Sequence, residues 1–204
     1  LYDAGIRRIN VSLDSLDPAV FRRLSGGRGE VAEVLAGIAA AEAAGFARLK
    51  LNCVVLRGVN DDGVLDLVQR FRGTGHILRF IEYMDVGTLN HWQRGSVVPS
   101  ADLVARIHAR WPLQALDRNY RGEVAERYAF DDGGGELGFI SSVSAPFCGD
   151  CSRARISAEG RLYTCLFARD GFDLRTPLRG GASDAELADL VAARWRLRAD
   201  RYSE

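Results

Sequence analysis

Three cysteines in the second half of the chain have the spacing of metal ligands. Cys148, Cys151 and Cys165 form a C-x2-C-x13-C pattern, and the segment between them supplies no fourth ligand. A structural zinc site closes its tetrahedron with four Cys or His ligands, whereas three thiolates leave one position of a metal centre open. The spacing therefore predicts a metal centre that also binds another molecule. A zinc-ribbon module with a distant fourth ligand is the alternative.

Two arginines follow the cysteine pair at once. Arg153 and Arg155 are two residues apart, so they share one face if this segment is a strand. Guanidinium groups offset the negative charge of thiolates and bind phosphate through paired hydrogen bonds, which lysine does less well. A solvated strand face is the simpler interpretation, but the position beside a metal site favours an anionic ligand.

The only lysine of the chain, Lys50, lies in a segment that reads as a strand. Alternation places Lys50 and Asn52 on one face and Leu51 and Cys53 on the other. Cys53 is therefore interpreted as a small buried hydrophobe and not as a fourth ligand. Lys50 either faces an interior near a ligand or lies solvated at the strand end, and the sequence leaves both interpretations open.

The next apolar segment carries charges of its own. Arg79 and Glu82 lie three residues apart, and an internal ion pair between them is one explanation for both. Met84 closes the segment, and a methionine in such a position is more often part of a core than a cofactor contact.

Strands and helices alternate over the first part of the chain. Apolar runs and helix caps predict strands at residues 8–14, 48–56 and 77–84, with helices at 17–24, 31–44 and 60–72 between them. Repeated strand-helix-strand order implies a parallel sheet.

The pattern changes after Gly87. It predicts a helix over residues 100–111, capped by Ser100, and a last helix over residues 183–198. Two hairpins lie between them, one joining residues 124–131 to 136–142 and one joining 153–157 to 161–165. The chain is thus expected to have two domains, residues 1–90 and 91–204.

Composition excludes several classes of partner. The 204 residues include 27 basic and 27 acidic side chains, which gives no general case for binding nucleic acid or an anionic membrane. No apolar run reaches the roughly 20 residues that span a bilayer, and the first residues do not form a signal pattern, so a cytoplasmic location is expected. Four cysteines are too few for a secreted disulfide scaffold.

Three separated motifs carry a family resemblance, and they occur at residues 10–17 (NVSLDSLD), 79–87 (RFIEYMDVG) and 147–155 (FCGDCSRAR). With them the chain resembles the molybdenum cofactor biosynthesis protein A family, which are radical S-adenosylmethionine enzymes with GTP 3',8-cyclase activity. The resemblance implies an α/β fold: the C-terminal half of an incomplete (β/α)6 barrel, followed by a smaller α+β domain with an iron-sulfur cluster.

The resemblance also implies roles for individual residues. The family has a C-terminal 4Fe-4S cluster whose open iron position receives the purine of GTP. The ligands of that cluster correspond here to Cys148, Cys151 and Cys165. GTP contacts are matched by Lys50, Arg79, Arg153, Ala154 and Arg155. Contacts to S-adenosylmethionine are matched by Ser12 and Met84.

The implied reaction uses a second, N-terminal 4Fe-4S cluster, which cleaves S-adenosylmethionine to a 5'-deoxyadenosyl radical. That radical abstracts hydrogen from C3' of GTP, and ring closure onto C8 gives 3',8-cyclo-7,8-dihydro-GTP. The resemblance further implies a homodimer, and a pathway partner, cyclic pyranopterin monophosphate synthase, that consumes the product.

The chain departs from the family pattern in two main places. The radical-generating C-x3-C-x2-C motif is absent from the sequence, so we expect it upstream of Leu1 and expect this fragment alone to be inactive. The chain also ends short of the diglycine tail of the family. A radical enzyme with an auxiliary cluster and another substrate is a further alternative, although such enzymes usually carry more cysteines.

Overall fold

The computed structural model describes residues 1–85 and 92–200 of the chain. These residues separate into two units, the first formed by residues 1–85 and 92–145 and the second by residues 146–200. This division differs from the expected boundary at residue 90, because the first predicted hairpin pairs with the strands of the first unit. Val86 and Gly87, which end the second motif, lie outside the described residues.

The first unit is built on one mixed sheet of six strands. They are β1 (Asn10–Ser12), β2 (Lys50–Val55), β3 (Ile77–Glu82), β4 (Leu113–Leu116), β5 (Glu126–Phe130) and β6 (Glu136–Ile140). Their order is β1-β2-β3-β6-β5-β4. The strands β1, β2, β3 and β6 run parallel to one another, and β5 is antiparallel to both β6 and β4. The predicted parallel sheet is confirmed, and the hairpin of β5 and β6 extends it.

Four helices belong to this unit: α1 (Pro18–Leu24), α2 (Val31–Ala43), α3 (Val64–Phe71) and α4 (Ser100–His108). The predicted cap of α1 is confirmed, since the Asp17 carboxylate accepts hydrogen bonds from the backbone of Ala19 and Val20. The predicted cap of α4 is wrong by one residue. Pro99 occupies the cap position, and Ser100 is the first helical residue.

The two faces of the sheet differ in character. One face is apolar and buried, and it carries Leu51 and Cys53 of β2, Leu78 and Phe80 of β3, and Leu137 and Phe139 of β6. The helices supply further members of this core, among them Phe21, Ile38, Leu67 and Ile107. Cys53 is fully buried there, as predicted. The opposite face carries Lys50, Asn52 and Arg79 of the same strands.

Glu82 and Arg79 lie on opposite faces of β3, so the predicted ion pair between them is wrong. Three residues along a strand is an odd number, and side chains at odd spacing point to opposite sides. Glu82 is buried and accepts hydrogen bonds from the backbone N–H groups of Ser100, Val143 and Ser144 and from the Ser144 hydroxyl.

The second unit combines three short antiparallel strands with two helices. The strands are β7 (Arg155–Ile156), β8 (Arg161–Tyr163) and β9 (Phe172–Asp173), and the helices are α5 (Arg175–Arg179) and α6 (Asp184–Arg196). The predicted hairpin of β7 and β8 is confirmed, as is the start of α6, where Ser183 and Glu186 form a capping box. Because β7 begins at Arg155, Arg153 precedes the strand and does not share its face.

Within the described part of the chain, no helix combines the length and the apolar character that a membrane span requires.

Candidate functional site

A cavity of about 590 Å³ lies against the polar face of the first sheet. Residues of β1, β2, β3 and β6 line it, together with residues from the loop that precedes β5. Its basic lining residues are Arg7, Arg8, Arg48, Lys50, Arg79 and Arg127, and its acidic ones are Glu123 and Glu136. The excess of cations makes this cavity suited to an anionic ligand.

Arg79 is held in this cavity by neutral partners. Its Nε donates to Oδ1 of Asn52 at 2.8 Å, and its Nη2 donates to Oδ1 of Asn10 at 3.3 Å. The aliphatic part of the side chain lies over Gly138, where an added Cβ would come within 3.0 Å of the Arg79 Cγ. Burial lowers the pKa of Arg79, with the opposing influence of Tyr120 and Glu123, yet an arginine stays protonated at neutral pH. The two amides therefore orient the guanidinium without neutralising it.

Lys50 begins β2 and is half-buried, with Asn10 and Ile77 as its register partners on the neighbouring strands. It lines the same cavity as Arg79. Of the two interpretations that the sequence left open, this position favours the one in which Lys50 lies near a ligand.

An ion-pair group at the cavity wall was not found from the sequence. Glu136 accepts hydrogen bonds from Nε and Nη2 of Arg127 at 2.8 and 3.0 Å and from Arg48 at 3.1 Å. Burial raises the pKa of Glu136, but Arg127, Arg48 and Lys50 lower it by more than burial raises it. The net pKa of Glu136 therefore lies below its ordinary value. The signal was available: Arg127 and Glu136 are diagonal neighbours across the predicted hairpin.

Ser12 and Met84 lie at the carboxyl ends of parallel strands. Ser12 is the last residue of β1 and is exposed, and Met84 follows the end of β3 and is half-buried. Neither residue belongs to the described lining of the cavity. In α/β barrels, the carboxyl ends of the strands are where functional sites are built.

The three cysteines lie on two loops of the second unit. Cys148 begins a short 3-10 turn, Cys148–Asp150, and the backbone N–H of Cys151 donates to the Cys148 carbonyl at 3.3 Å. Cys165 follows β8, and its sulfur accepts a hydrogen bond from the Phe167 N–H at 3.5 Å. All three thiols are free and half-buried.

The Cys151 thiol lies in an electropositive surrounding. Burial alone would raise its pKa, but hydrogen bonds from the backbone and side chain of Arg153, and the charges of Arg153 and Arg198, place the net pKa below its ordinary value. The Arg153 Nε lies 3.3 Å from the sulfur. A lowered thiol pKa favours the thiolate, which is the form that binds metals.

The donor chemistry of this set fits an iron-sulfur cluster. Thiolates are the usual ligands of such clusters, and N–H donors to sulfur are among their normal surroundings. Among residues 1–85 and 92–200, however, no three His, Cys, Asp or Glu side chains are grouped closely enough to hold a metal ion. The structure thus brings the three cysteines into one unit without showing a coordination geometry.

The Arg-Ala-Arg segment leads from the cysteine pair into β7. Arg153 is exposed, and its guanidinium lies 5.3 Å from the centre of the Phe147 ring. Ala154 is exposed, whereas Arg155 is half-buried and pairs with Tyr163 of β8. Arg153 is thus the predicted anion-binding residue that the structure places in hydrogen-bond contact with one of the three candidate cysteines.

Comparison with known families gives two matches, and the boundary between them lies within the first unit. Residues 1–71 match the Radical SAM superfamily, and this stretch contains β1, β2 and the helices α1, α2 and α3 of the first unit. Residues 76–204 match the family described as Molybdenum Cofactor Synthesis C, and the chain belongs to that family. The resemblance drawn from the three motifs is confirmed.

Curated relatives match the chain over its whole length. It is 66% identical over 204 residues to the GTP 3',8-cyclase of Xanthomonas axonopodis pv. citri, which covers 100% of this chain and 60% of the relative. The GTP 3',8-cyclase of Acidothermus cellulolyticus is 51% identical over 208 residues, and that of Parasynechococcus marenigrum 49% over 214 residues. The chain spans about 60% of the length of the curated relatives it matches.

Proposed function

We propose that this chain is the GTP-binding part of a GTP 3',8-cyclase of molybdenum cofactor biosynthesis. The observation that carries the proposal is the 66% identity, over the whole chain, to a protein of that name. Its first unit would be the C-terminal half of an incomplete (β/α)6 barrel, and its second unit the auxiliary-cluster domain. Neither alternative, a zinc-ribbon module or a radical enzyme with another substrate, has an observation in its favour.

In this proposal Cys148, Cys151 and Cys165 hold the C-terminal 4Fe-4S cluster. Bound there, the cluster supplies an open iron position for the purine of GTP. Support for the assignment comes from the three free thiols and from the cationic surroundings of Cys151. Arg153 offsets the negative charge of the thiolates and, with Ala154 and Arg155, binds GTP beside them.

The cavity of the first unit would receive a phosphate part of the same substrate. Lys50 and Arg79 both line it, and the neutral amides around Arg79 leave its charge available to a phosphate. Arg48 and Arg127 share Glu136, so their charge is already balanced in part. Lys50 and Arg79 are therefore assigned the direct contacts with GTP, in which arginine provides the paired hydrogen bonds.

In this proposal the radical is formed away from the C-terminal cluster. Ser12 and Met84 would contact S-adenosylmethionine at the carboxyl ends of their strands, and an N-terminal 4Fe-4S cluster would supply the reducing electron. What this chain contributes is positioning: it holds GTP in place and shields the reacting carbon from water. We further propose that the intact enzyme is a cytoplasmic homodimer whose product passes to cyclic pyranopterin monophosphate synthase.

Metal analysis tests the cluster directly. The chain contains four cysteines, and Cys53 is fully buried in the first unit. The iron content of the chain therefore reports on the other three cysteines. After anaerobic reconstitution we expect about four iron and four sulfide ions per chain. Cys148→Ala should abolish this binding, and the matched control Cys53→Ala should retain it. About one zinc ion per chain without sulfide would contradict the proposal and favour the zinc module.

A further inference from the structure

The cysteines of the candidate cluster site lie on two separate loops, and one segment contacts both. Cys148 and Cys151 belong to the turn before β7, whereas Cys165 follows β8. The residues Arg198–Asp200, which follow α6 and are here called the clasp segment, reach both loops through side-chain hydrogen bonds.

Arg198 fixes the first loop through its backbone. Its Nη1 donates to the carbonyl of Cys151 at 2.5 Å, and its Nη2 donates to the carbonyl of Cys148 at 3.4 Å. The guanidinium lies 5.1 Å from the Trp195 ring, which restricts its orientation. A planar guanidinium spans two carbonyls in a way that a lysine ammonium does not. Because both carbonyls belong to cysteines, this contact sets the spacing within the pair.

Asp200 fixes the second loop. The hydroxyl of Thr164 donates to Oδ2 of Asp200, and Thr164 is buried next to Cys165. A hydrogen bond from a hydroxyl to a carboxylate is stronger than one between two neutral groups. Only Ala199 separates Asp200 from Arg198, so a single short stretch of backbone links the positions of both loops.

We propose that the clasp segment is a positioning device, which tethers both cysteine-bearing loops to one short stretch of backbone and so limits the movement that brings the three ligands on these two loops onto one cluster. The inference rests on the cluster proposed above. Arg198 and Asp200 are positioning residues, since they contact the backbone or neighbours of the ligands and not the cluster itself. Outer partners of this kind typically change metal affinity 10- to 100-fold when removed.

Two matched pairs of variants test the clasp in the full chain. Arg198→Ala removes the first contact, and Arg196→Ala removes an exposed arginine of the same helix end. Asp200→Ala removes the second contact, and Asp189→Ala removes an exposed aspartate of α6. Arg198→Lys keeps the charge without the paired geometry.

Hydrogen exchange of the metal-free chain gives the first readout. We expect Arg198→Ala to speed exchange at residues 147–151 and Asp200→Ala to speed it at residues 164–167. The two control variants should leave both loops unchanged. Equal exchange in Arg198→Ala and Arg196→Ala would overturn the clasp.

Iron loss to a chelator from the reconstituted chain gives the second readout. Arg198→Ala should lose iron about tenfold faster than Arg196→Ala, with Arg198→Lys between them. The paramagnetic resonance spectrum of the reduced cluster should also change in Arg198→Ala, whereas a merely structural role would change only the melting temperature. Equal iron loss in Arg198→Ala and Arg196→Ala would overturn the clasp. A wild-type chain that binds no iron while Arg198 still protects its loop would overturn the proposed cluster instead.

Discussion

Arg79 shows how a half-buried guanidinium is oriented by neutral partners. It is bonded to two amide oxygens, from Asn52 and Asn10, and it packs over a glycine. An acidic partner would have held the side chain equally well, but it would also have cancelled the charge. The neutral partners thus orient the guanidinium and leave its positive charge in place.

Asn52→Ala tests this separation. The substitution removes the 2.8 Å hydrogen bond to Nε of Arg79, so the guanidinium loses its orientation while its charge remains. Because the donor is charged, this hydrogen bond contributes about 1.5 kcal/mol, which predicts roughly tenfold weaker binding of GTP by calorimetry. Gln69→Ala, at an exposed position of α3, is the control and should bind GTP as the wild type does. Unchanged affinity in Asn52→Ala would show that the amide does not position Arg79 for GTP.

Gly138→Ala tests the close packing under Arg79. The added Cβ would lie 3.0 Å from the Arg79 Cγ and 3.5 Å from the Ala125 Cβ, so the arginine must move. We expect weaker GTP binding by several-fold in calorimetry, with a small change in unfolding free energy. Gly37→Ala, where nothing lies within 4 Å, should leave binding unchanged and stabilise α2 by about 0.5–1 kcal/mol. The prediction fails if both variants bind GTP equally well.

The alternation of side chains along a strand explains which predictions about single residues were confirmed. The alternation of β2 assigned Cys53 to the core and Lys50 to the other face, and both placements hold. The same parity, applied to Arg79 and Glu82, would have excluded their ion pair. Asn10 was not found as a partner of Arg79 because that contact crosses β2, and local sequence patterns do not reveal the order of the strands in a sheet.

At the scale of elements, Glu82 joins three segments that are distant in sequence. Its carboxylate, at the end of β3, receives the first N–H of α4 and two N–H groups from residues 143 and 144, just after β6. Burial alone would raise the pKa of Glu82, but the hydrogen bonds from Ser144, Ser100 and Val143 bring the net pKa below its ordinary value. One buried carboxylate thus satisfies backbone groups of two other elements.

Glu82→Gln should destabilise the chain in a pH-dependent way. At pH 7 a neutral amide leaves buried N–H groups unsatisfied, which predicts a loss of about 2–3 kcal/mol in urea unfolding. Because the folded pKa is depressed, the carboxylate stabilises the fold fully above the unfolded pKa of about 4.3, and this contribution disappears as the pH falls through the folded pKa. The gap between wild type and variant should therefore narrow below about pH 4. Exposed Glu126→Gln should show little gap at any pH, and a constant gap for Glu82→Gln would contradict the assignment.

Caps and periodicity, which are local sequence signals, predicted most of the helices and strands. The features that were missed depend on pairing between strands distant in sequence. Caps and periodicity predicted α1, α2, α3 and α6 and both hairpins. The pairing of β6 with β3 was not predicted, since the choice of a strand's partner depends on tertiary packing. For the same reason the boundary was placed at residue 90, whereas the first unit extends to Ala145. Strands as short as β9, with two residues, carry almost no pattern.

At the scale of the whole molecule, the chain holds the residues assigned to GTP and lacks the C-x3-C-x2-C motif in its sequence. We therefore expect that the isolated chain forms no 5'-deoxyadenosine from S-adenosylmethionine under anaerobic reducing conditions. Product analysis by liquid chromatography decides this, with a complete GTP 3',8-cyclase as the positive control. Formation of 5'-deoxyadenosine by the isolated chain would mean that the radical-generating groups lie within it.

In the proposed function, GTP binds at a cluster held by Cys148, Cys151 and Cys165. The most direct test is the electron paramagnetic resonance spectrum of the reduced, reconstituted chain, recorded with and without GTP and with ATP as the control nucleotide. We expect a cluster signal that GTP shifts and ATP leaves nearly unchanged, and a weaker GTP effect in Arg153→Ala. A cluster signal that is identical with and without GTP would contradict this proposal.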